Sequence, residues 1–215
     1  MLTDPTEIAI ASNAKQKNIR DPRRSRQPFF NVMEDFFDGV PLQGTYIDLG
    51  PGQFDLGELI RERGGCCVGL DMDPAVVELG RYKGFETIHA RIQDLVKEPL
   101  DRSFDGAFNK FSFNAFWNLE DGEKHRALIE ALIHLVHEDA WVWVGPWNGL
   151  PKSKQLEADV VQRTLDLQIS VFEEHGFQTI HLSHEQAGHY GLHGEVANHI
   201  VFIKNLLWKP KGDLA

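Results

Sequence analysis

Apolar residues along this chain fall into two alternating patterns. Short, nearly continuous runs at residues 45–49, 66–70, 85–90, 104–111, 141–145, 177–182 and 196–203 predict seven strands, most of them bounded by glycine. Between them the apolar positions recur every three or four residues. Residues 29–40 put Phe29, Met33, Phe36 and Phe37 on one helical face, and residues 54–63 do the same with Leu56, Leu59 and Ile60. Asp73 and Pro74 offer an N-cap and a first-turn proline for a helix that Gly84 stops. Residues 121–138 carry a wide stripe of Ala127, Leu128, Ala131, Leu132, Leu135 and Val136, and residues 154–175 form a further amphipathic helix closed by Gly176.

Strands alternating with helices predict an α/β fold. The form expected is Rossmann-like and doubly wound: a mostly parallel seven-stranded sheet with helices on both faces. The run at 141–145 is apolar throughout, as suits a parallel strand covered on both sides. The final strand follows strand six after a short connection, so it should be the one antiparallel strand, near the C-terminus.

Composition changes this picture little. A chain of 215 residues with 42% hydrophobic and 25% charged residues suits one folded domain with a sizeable core. The net charge of −10 argues against nucleic acid as a general partner. No apolar run reaches the ~18 residues of a membrane span, and the first residues lack the basic and apolar regions of a secretory signal. A cytoplasmic protein is expected. Adjacent Cys66 and Cys67 on a strand should point to opposite faces and read as core residues, not as a disulfide. Residues 1–28 differ from the rest. Lys15, Lys17, Arg20, Arg23, Arg24 and Arg26 form a basic cluster, and Pro5, Pro22 and Pro28 argue against one long helix. The expected division is a basic arm or lid at 1–28 and the folded domain at 29–208.

The chemistry centres on Tyr46-Ile47-Asp48-Leu49-Gly50-Pro51-Gly52-Gln53-Phe54-Asp55, a strand, a glycine turn and a helix start. Gly50 and Gly52 allow unusual backbone angles and close approach of a ligand. A dinucleotide turn would carry a third small residue and a helix N-terminus open to pyrophosphate. Here Phe54 stands near that position, and Asp55 and Asp48 bring negative charge. Two carboxylates suit a cationic ligand, and S-adenosylmethionine, with its ammonium, sulfonium and ribose, fits. Asp71 ends the second strand 23 positions after Asp48, close to the ~20 expected for a carboxylate that grips ribose hydroxyls.

On these residues the chain resembles the class I S-adenosylmethionine-dependent methyltransferases. Asp48-Leu49-Gly50-Pro51-Gly52 looks like their first motif and Asp71 like their ribose-binding acid, while Phe54 departs from the usual small residue. The resemblance implies a cofactor site at Asp48, Gly50, Gly52, Phe54, Asp71, Met72, Asp94 and Asn109, with Asp94 matching the acid that contacts adenine. It also implies that the end of the fourth strand faces the transferred methyl, at Asn109, Lys110 and Phe111. The Asn/Asp-Pro-Pro-aromatic turn of base-methylating enzymes is missing there. Lys110, Phe111, Trp117, Trp147, Asn148 and Tyr190 are the substrate-pocket candidates.

Ser183 to Glu195 connects strand six to the last strand and holds His184, His189 and His193. It reads as a polar hairpin, or as the source of a general base for an acceptor hydroxyl or amine. His189 and His193 would share a face only in a helix, which Gly188, Gly191 and Gly194 oppose, so no metal site is expected. The expected activity is O- or N-methylation of a small metabolite, with room for an anionic acceptor. A cofactor-binding module without catalysis and a nicotinamide-dependent oxidoreductase are the alternatives.

Overall fold

The computed structural model describes residues 22–110, 122–145, 158–191 and 199–210. Its elements, in chain order, are α1 (Pro22–Phe36), β1 (Thr45–Leu49), α2 (Asp55–Glu62), β2 (Cys66–Asp71), α3 (Pro74–Tyr82), β3 (Glu86–His89), a 3-10 turn (Ile92–Val96), β4 (Phe104–Lys110), α4 (Gly122–Ile133), β5 (Val136–Gly145), α5 (Ala158–Glu174), β6 (Gln178–His181), α6 (His184–His189) and β7 (Ile200–Lys204). The seven strands lie in the order β3-β2-β1-β4-β5-β7-β6. β7 inserts between β5 and β6 and runs antiparallel to both, and every other pair is parallel. This is the doubly wound sheet that the alternation predicts.

Each face of the sheet has its own core. Ile47, Leu49, Ala107, Val142 and Phe202 pack with Leu128, Ile129 and Leu132 of α4 and Leu165, Val171 and Phe172 of α5. The alternate positions Tyr46, Phe108, Trp141, Trp143, Val201 and Ile203 meet Val32, Met33 and Phe36 of α1 and Leu56, Leu59 and Ile60 of α2. The period of two along the strands separates the sets. The second core is rich in rings: Phe108 stacks on Trp143 at 4.6 Å, and Tyr46 on Trp141 at 5.1 Å.

Several element ends differ from the pattern-based reading. The helix predicted to reach Glu138 ends at Ile133, and β5 begins at Val136. The Phe104 amide donates to the Leu135 carbonyl, and Phe104 pairs with Val136 before an irregularity shifts the register to Gly106–Trp141. The apolar stripe therefore carries straight from helix into strand, with no glycine to mark the change. α1 begins at Pro22 and holds Pro28 inside it, whereas the prolines argue against one continuous helix. A proline lacks one donor and clashes with the preceding turn. Burial of Val32, Met33, Phe36 and Phe37 on the α1 side, and the Arg26–Glu62 ion pair, outweigh that cost. α6 forms where glycines oppose a helix, because Ser183 and Gln186 make a reciprocal capping box. Cys67 is buried, but Cys66, at the strand's start, is exposed, not a core residue.

Candidate functional site

The glycine turn leaves β1 at the carboxyl end of the sheet. Gly50 and Gly52 take left-handed angles, with φ of 79° and 55°, that other residues avoid. The Gly50 amide donates to the Leu70 carbonyl at 2.8 Å, which ties the turn to β2. Lys83 of the α3 C-terminus donates to the Gln53 carbonyl at 2.7 Å and pairs with Glu58 at 2.9 Å. The turn is thus held from two sides before any ligand arrives.

Phe54 also sits at positive φ, 65°, as the residue that opens α2. Its ring turns away from the cleft and is fully buried, stacked on Phe85 at 4.9 Å. Two glycines make room for it. A Cβ on Gly69 of β2 would lie 2.4 Å from the ring, and one on Gly80 of α3 would lie 2.3 Å from it. The small residue absent from the turn is thus replaced by small residues on the two elements opposite. This corrects the reading of the Phe54 side chain as a cofactor contact: its ring belongs to the core.

Asp71 ends β2, and its Oδ1 accepts from the Asp73 amide at 2.9 Å. Asp73 in turn caps α3 through the Ala75 amide, as its position before Pro74 predicts. Met72 between them is 64% exposed. Gly50, Leu70, Asp71, Met72, Ile92 and Gln93 line a cleft of about 300 Å³ beyond the tips of β1 and β2. Asp94 turns its carboxylate onto the Arg91 amide at 3.2 Å and so caps the 3-10 turn. Gln93, its neighbour, faces the cleft in its place.

Asp48 lies behind the turn, 2% exposed. Burial, with repulsion from Asp71 and Asp55, pushes its carboxyl up to about 8, and Lys110 opposes this. Asp55, at the start of α2, is raised by burial as well, against the pull of Lys83. Asn109 is buried and donates to the Leu49 carbonyl at 2.9 Å, bracing the end of β1. Lys110 closes β4. Its ammonium sits 4.2 Å over the Phe29 ring, and burial pulls it down to about 8 while Asp55 and Asp48 draw it back up.

The histidine connection behaves differently. The His189 ring faces the Asp35 carboxylate with Nε2 at 3.0 Å and the Asn31 amide with Nδ1 at 3.3 Å. The Asn31 amide also donates to the His189 carbonyl at 2.7 Å. An amide N–H₂ on Nδ1 and an acceptor on Nε2 fix the tautomer with the proton on Nε2. Both ring nitrogens are engaged, which argues against His189 as a free base. Tyr190 is fully buried; it donates to Asp35 at 2.9 Å and accepts from Trp208 at 3.0 Å, so its hydroxyl is inside the domain and not in a substrate pocket. Burial and the Asp35 carboxylate push that phenol upward. His184 is exposed at the β6 edge of the sheet, its ring 5.6 Å from His199. Phe111, Trp117, Trp147, Asn148 and His193 lie outside the described residues.

Pattern reading missed Asn31 and Asp35, which anchor α1 to α6. The signal was Asp35, three positions after Val32 and next to Phe36, on an otherwise apolar face. Among the described residues no group of three histidine, cysteine or carboxylate side chains could hold a metal, and no helix is long and apolar enough to cross a membrane.

No family model matches the chain, and no curated protein matches it significantly. Solved structures do match it. One is the ribosomal protein L11 methylase from Lactobacillus delbrueckii subsp. bulgaricus, 14% identical, with a TM-score of 0.51 over 88% of this chain and 81% of that one. Another is DesVI from Streptomyces venezuelae, 12% identical, with a TM-score of 0.56 over 85% and 91%. A third is the bifunctional kinase-methyltransferase WbdD, 16% identical, with a TM-score of 0.51 over 86% of this chain and 40% of that longer one. The chain has the fold of these proteins. At such identities the likeness is one of fold.

Proposed function

We propose that this chain is an S-adenosylmethionine-dependent methyltransferase that acts on a small-molecule acceptor. The observation that carries the reading is the charge at the glycine turn. Asp48, Asp55 and Asp71 repel one another around the glycine turn, and the fold opens its cleft beside them, lined by Gly50 and Asp71. A buried carboxyl held up at about 8 by burial and like charge is relieved by a cation and strained further by a phosphate. The site's chemistry therefore fits a ligand with an ammonium and a sulfonium. Asp55 at the helix start disfavours the pyrophosphate of a nicotinamide cofactor.

Asp71 would hold the ribose hydroxyls, with its geometry set by the Asp73 amide. Gly50 and Gly52 would let the ligand lie against the backbone, and Met72, Ile92 and Gln93 would flank the base. When bound, the cofactor supplies a methyl group on a positively charged sulfur, already electrophilic. The protein's own share is alignment, which can lower a barrier by ~7–11 kcal/mol, and exclusion of water. α1 covers the end of β4 through Phe29 and Pro28 and serves both ends. Lys110 at that end suits an anionic acceptor. His189 acts as a brace and His184 stands at the sheet's edge, so of the three histidines the reading leaves His193 as the proton acceptor.

The support for a small acceptor is the net charge of −10, which repels nucleic acid. Calorimetric titration of the full chain with S-adenosylmethionine, its demethylated product and NADH tests the cofactor. Saturable uptake of the first two and none of NADH is expected; the reverse sinks the reading. Labelled methyl transfer into a small-molecule extract, but not into RNA or protein, is the expected outcome for the acceptor.

A further inference from the structure

β1 and β4 run side by side with Asp48 opposite Phe108 and Leu49 opposite Asn109. Side chains alternate along both strands, so Asp48 and Lys110 point to the same face, the one α1 covers. Lys110 is roofed there. Its Nζ lies 4.2 Å over the Phe29 ring. A side chain at Gly191 would come within 3.4 Å of Nζ and 2.7 Å of Pro28. The charged neighbours come from every element around the pair. β2 brings Asp71, and α2 brings Asp55, with Glu58 and Lys83 paired beside it. α1 brings Arg26, which acts on Asp55, and α6 brings His189, already tied to Asp35. With Asp71 and Asp55 counted, carboxylates outnumber the ammonium around the pair, and burial disfavours the charged forms of both residues.

Resting on the methyltransferase reading, we propose that Asp48 and Lys110 together hold a proton that leaves for solvent when a sulfonium donor enters the cleft. Only an O–H or N–H bond of the pair breaks, and the proton goes to the buffer. The charge of the pair falls by one as the donor's positive charge arrives, so the site never carries an excess of buried cations. The pair titrates as a unit, and the proton belongs to both residues. The demethylated product has one positive charge fewer and holds the proton off less firmly. Reprotonation of the pair then favours product over donor at the exit.

The test is calorimetry of the full chain near neutral pH, in buffers of low and high ionisation enthalpy, with S-adenosylmethionine and with S-adenosylhomocysteine. About one proton should be released per donor bound, and fewer for the product. Donor affinity should rise by up to roughly ten-fold per pH unit below the pair's titration and level off above it. The number of protons released should stay near one below the free pair's titration at about 8 and fall away above it, whereas release by a histidine would already fade above ~6.5. That profile, read on the unaltered protein, decides the matter even if a variant fails to fold. His189→Gln should keep the release, and Asp48→Asn combined with Lys110→Met should lose it. Saturable donor binding with the same heat in every buffer overturns the proposal and leaves the methyltransferase reading intact. Release that survives in the double variant also overturns it. Failure to bind either sulfur compound brings down the reading and the proposal together.

Discussion

Two regions of this molecule each bury an aspartate, and they use it in opposite ways. At the seam of α1, α6 and the C-terminal segment, Asp35 is 1% exposed and accepts from the Tyr190 hydroxyl while facing His189. Trp208 extends the chain of donors, so one carboxylate joins three segments distant in sequence. At the turn after β1, Asp48 is 2% exposed and faces the like charges of Asp71 and Asp55. The seam is a structural joint: donors come to the acid and hold it. The turn is a site kept under electrostatic load, which a cationic ligand would lift. Equal burial thus says little about a charged residue's task; the company it keeps decides.

The largest effect should come from emptying the space behind the turn. Phe54→Ala should lose ~3–5 kcal/mol in urea unfolding, because its ring fills the gap left by Gly69 and Gly80 and leaves a cavity behind. A small loss would mean the turn relaxes and does not depend on this packing. The next pair sharpens the contrast directly. Asp35→Asn should destabilise by about 1–3 kcal/mol, since Oδ2 faces both His189 and Tyr190 and a neutral amide oxygen there is a weaker acceptor than a carboxylate. Asp48→Asn should stabilise by about 1–2 kcal/mol at neutral pH, because folding then no longer has to protonate a carboxyl that is ionised in the unfolded chain, while weakening donor binding. At about 2–4 °C per kcal/mol, thermal melts resolve both. Shifts of the same sign would erase the distinction between joint and site.

The remaining test is in the pH dependence. The Asp48 carboxyl titrates at about 8 in the fold and near 3.8 ordinarily, so across that window the folded chain holds a proton the unfolded chain lacks, and stability falls as pH rises. Lys110 titrates at about 8 against an ordinary 10.5, so above 8 the unfolded chain holds the extra proton, and stability climbs again. The pair should add a minimum near pH 8 to the stability curve. Asp48→Asn with Lys110→Met should remove it, and a minimum that persists must belong to other groups.

How much could be read from residues alone follows the same division. β1 and β2 were legible because glycines bracket them and carboxylates end the strand pattern at Asp48 and Asp71. Asp73 and Pro74 announced α3 through local chemistry alone. The start of β5 was not legible, since His137, Glu138 and Asp139 are exposed and polar, and nothing local divides Leu135 from Val136. The seam was hidden for a different reason. Asn31 and His189 are 158 positions apart, and no periodicity within one segment reveals a partner at such range. Asp94 is a mixed case: its place after β3 suited a ligand, and one of its oxygens also accepts from a backbone amide three residues away, a local use that its position allowed equally.

Phe54 carries one more consequence. The bulk absent from Gly69 and Gly80 has been moved onto the turn, so the three positions work as a single interlocking set. Grafting a standard third glycine into this turn would leave a hole, and enlarging either partner glycine alone would drive it into the ring. Only coordinated exchange at all three sites keeps the volume constant.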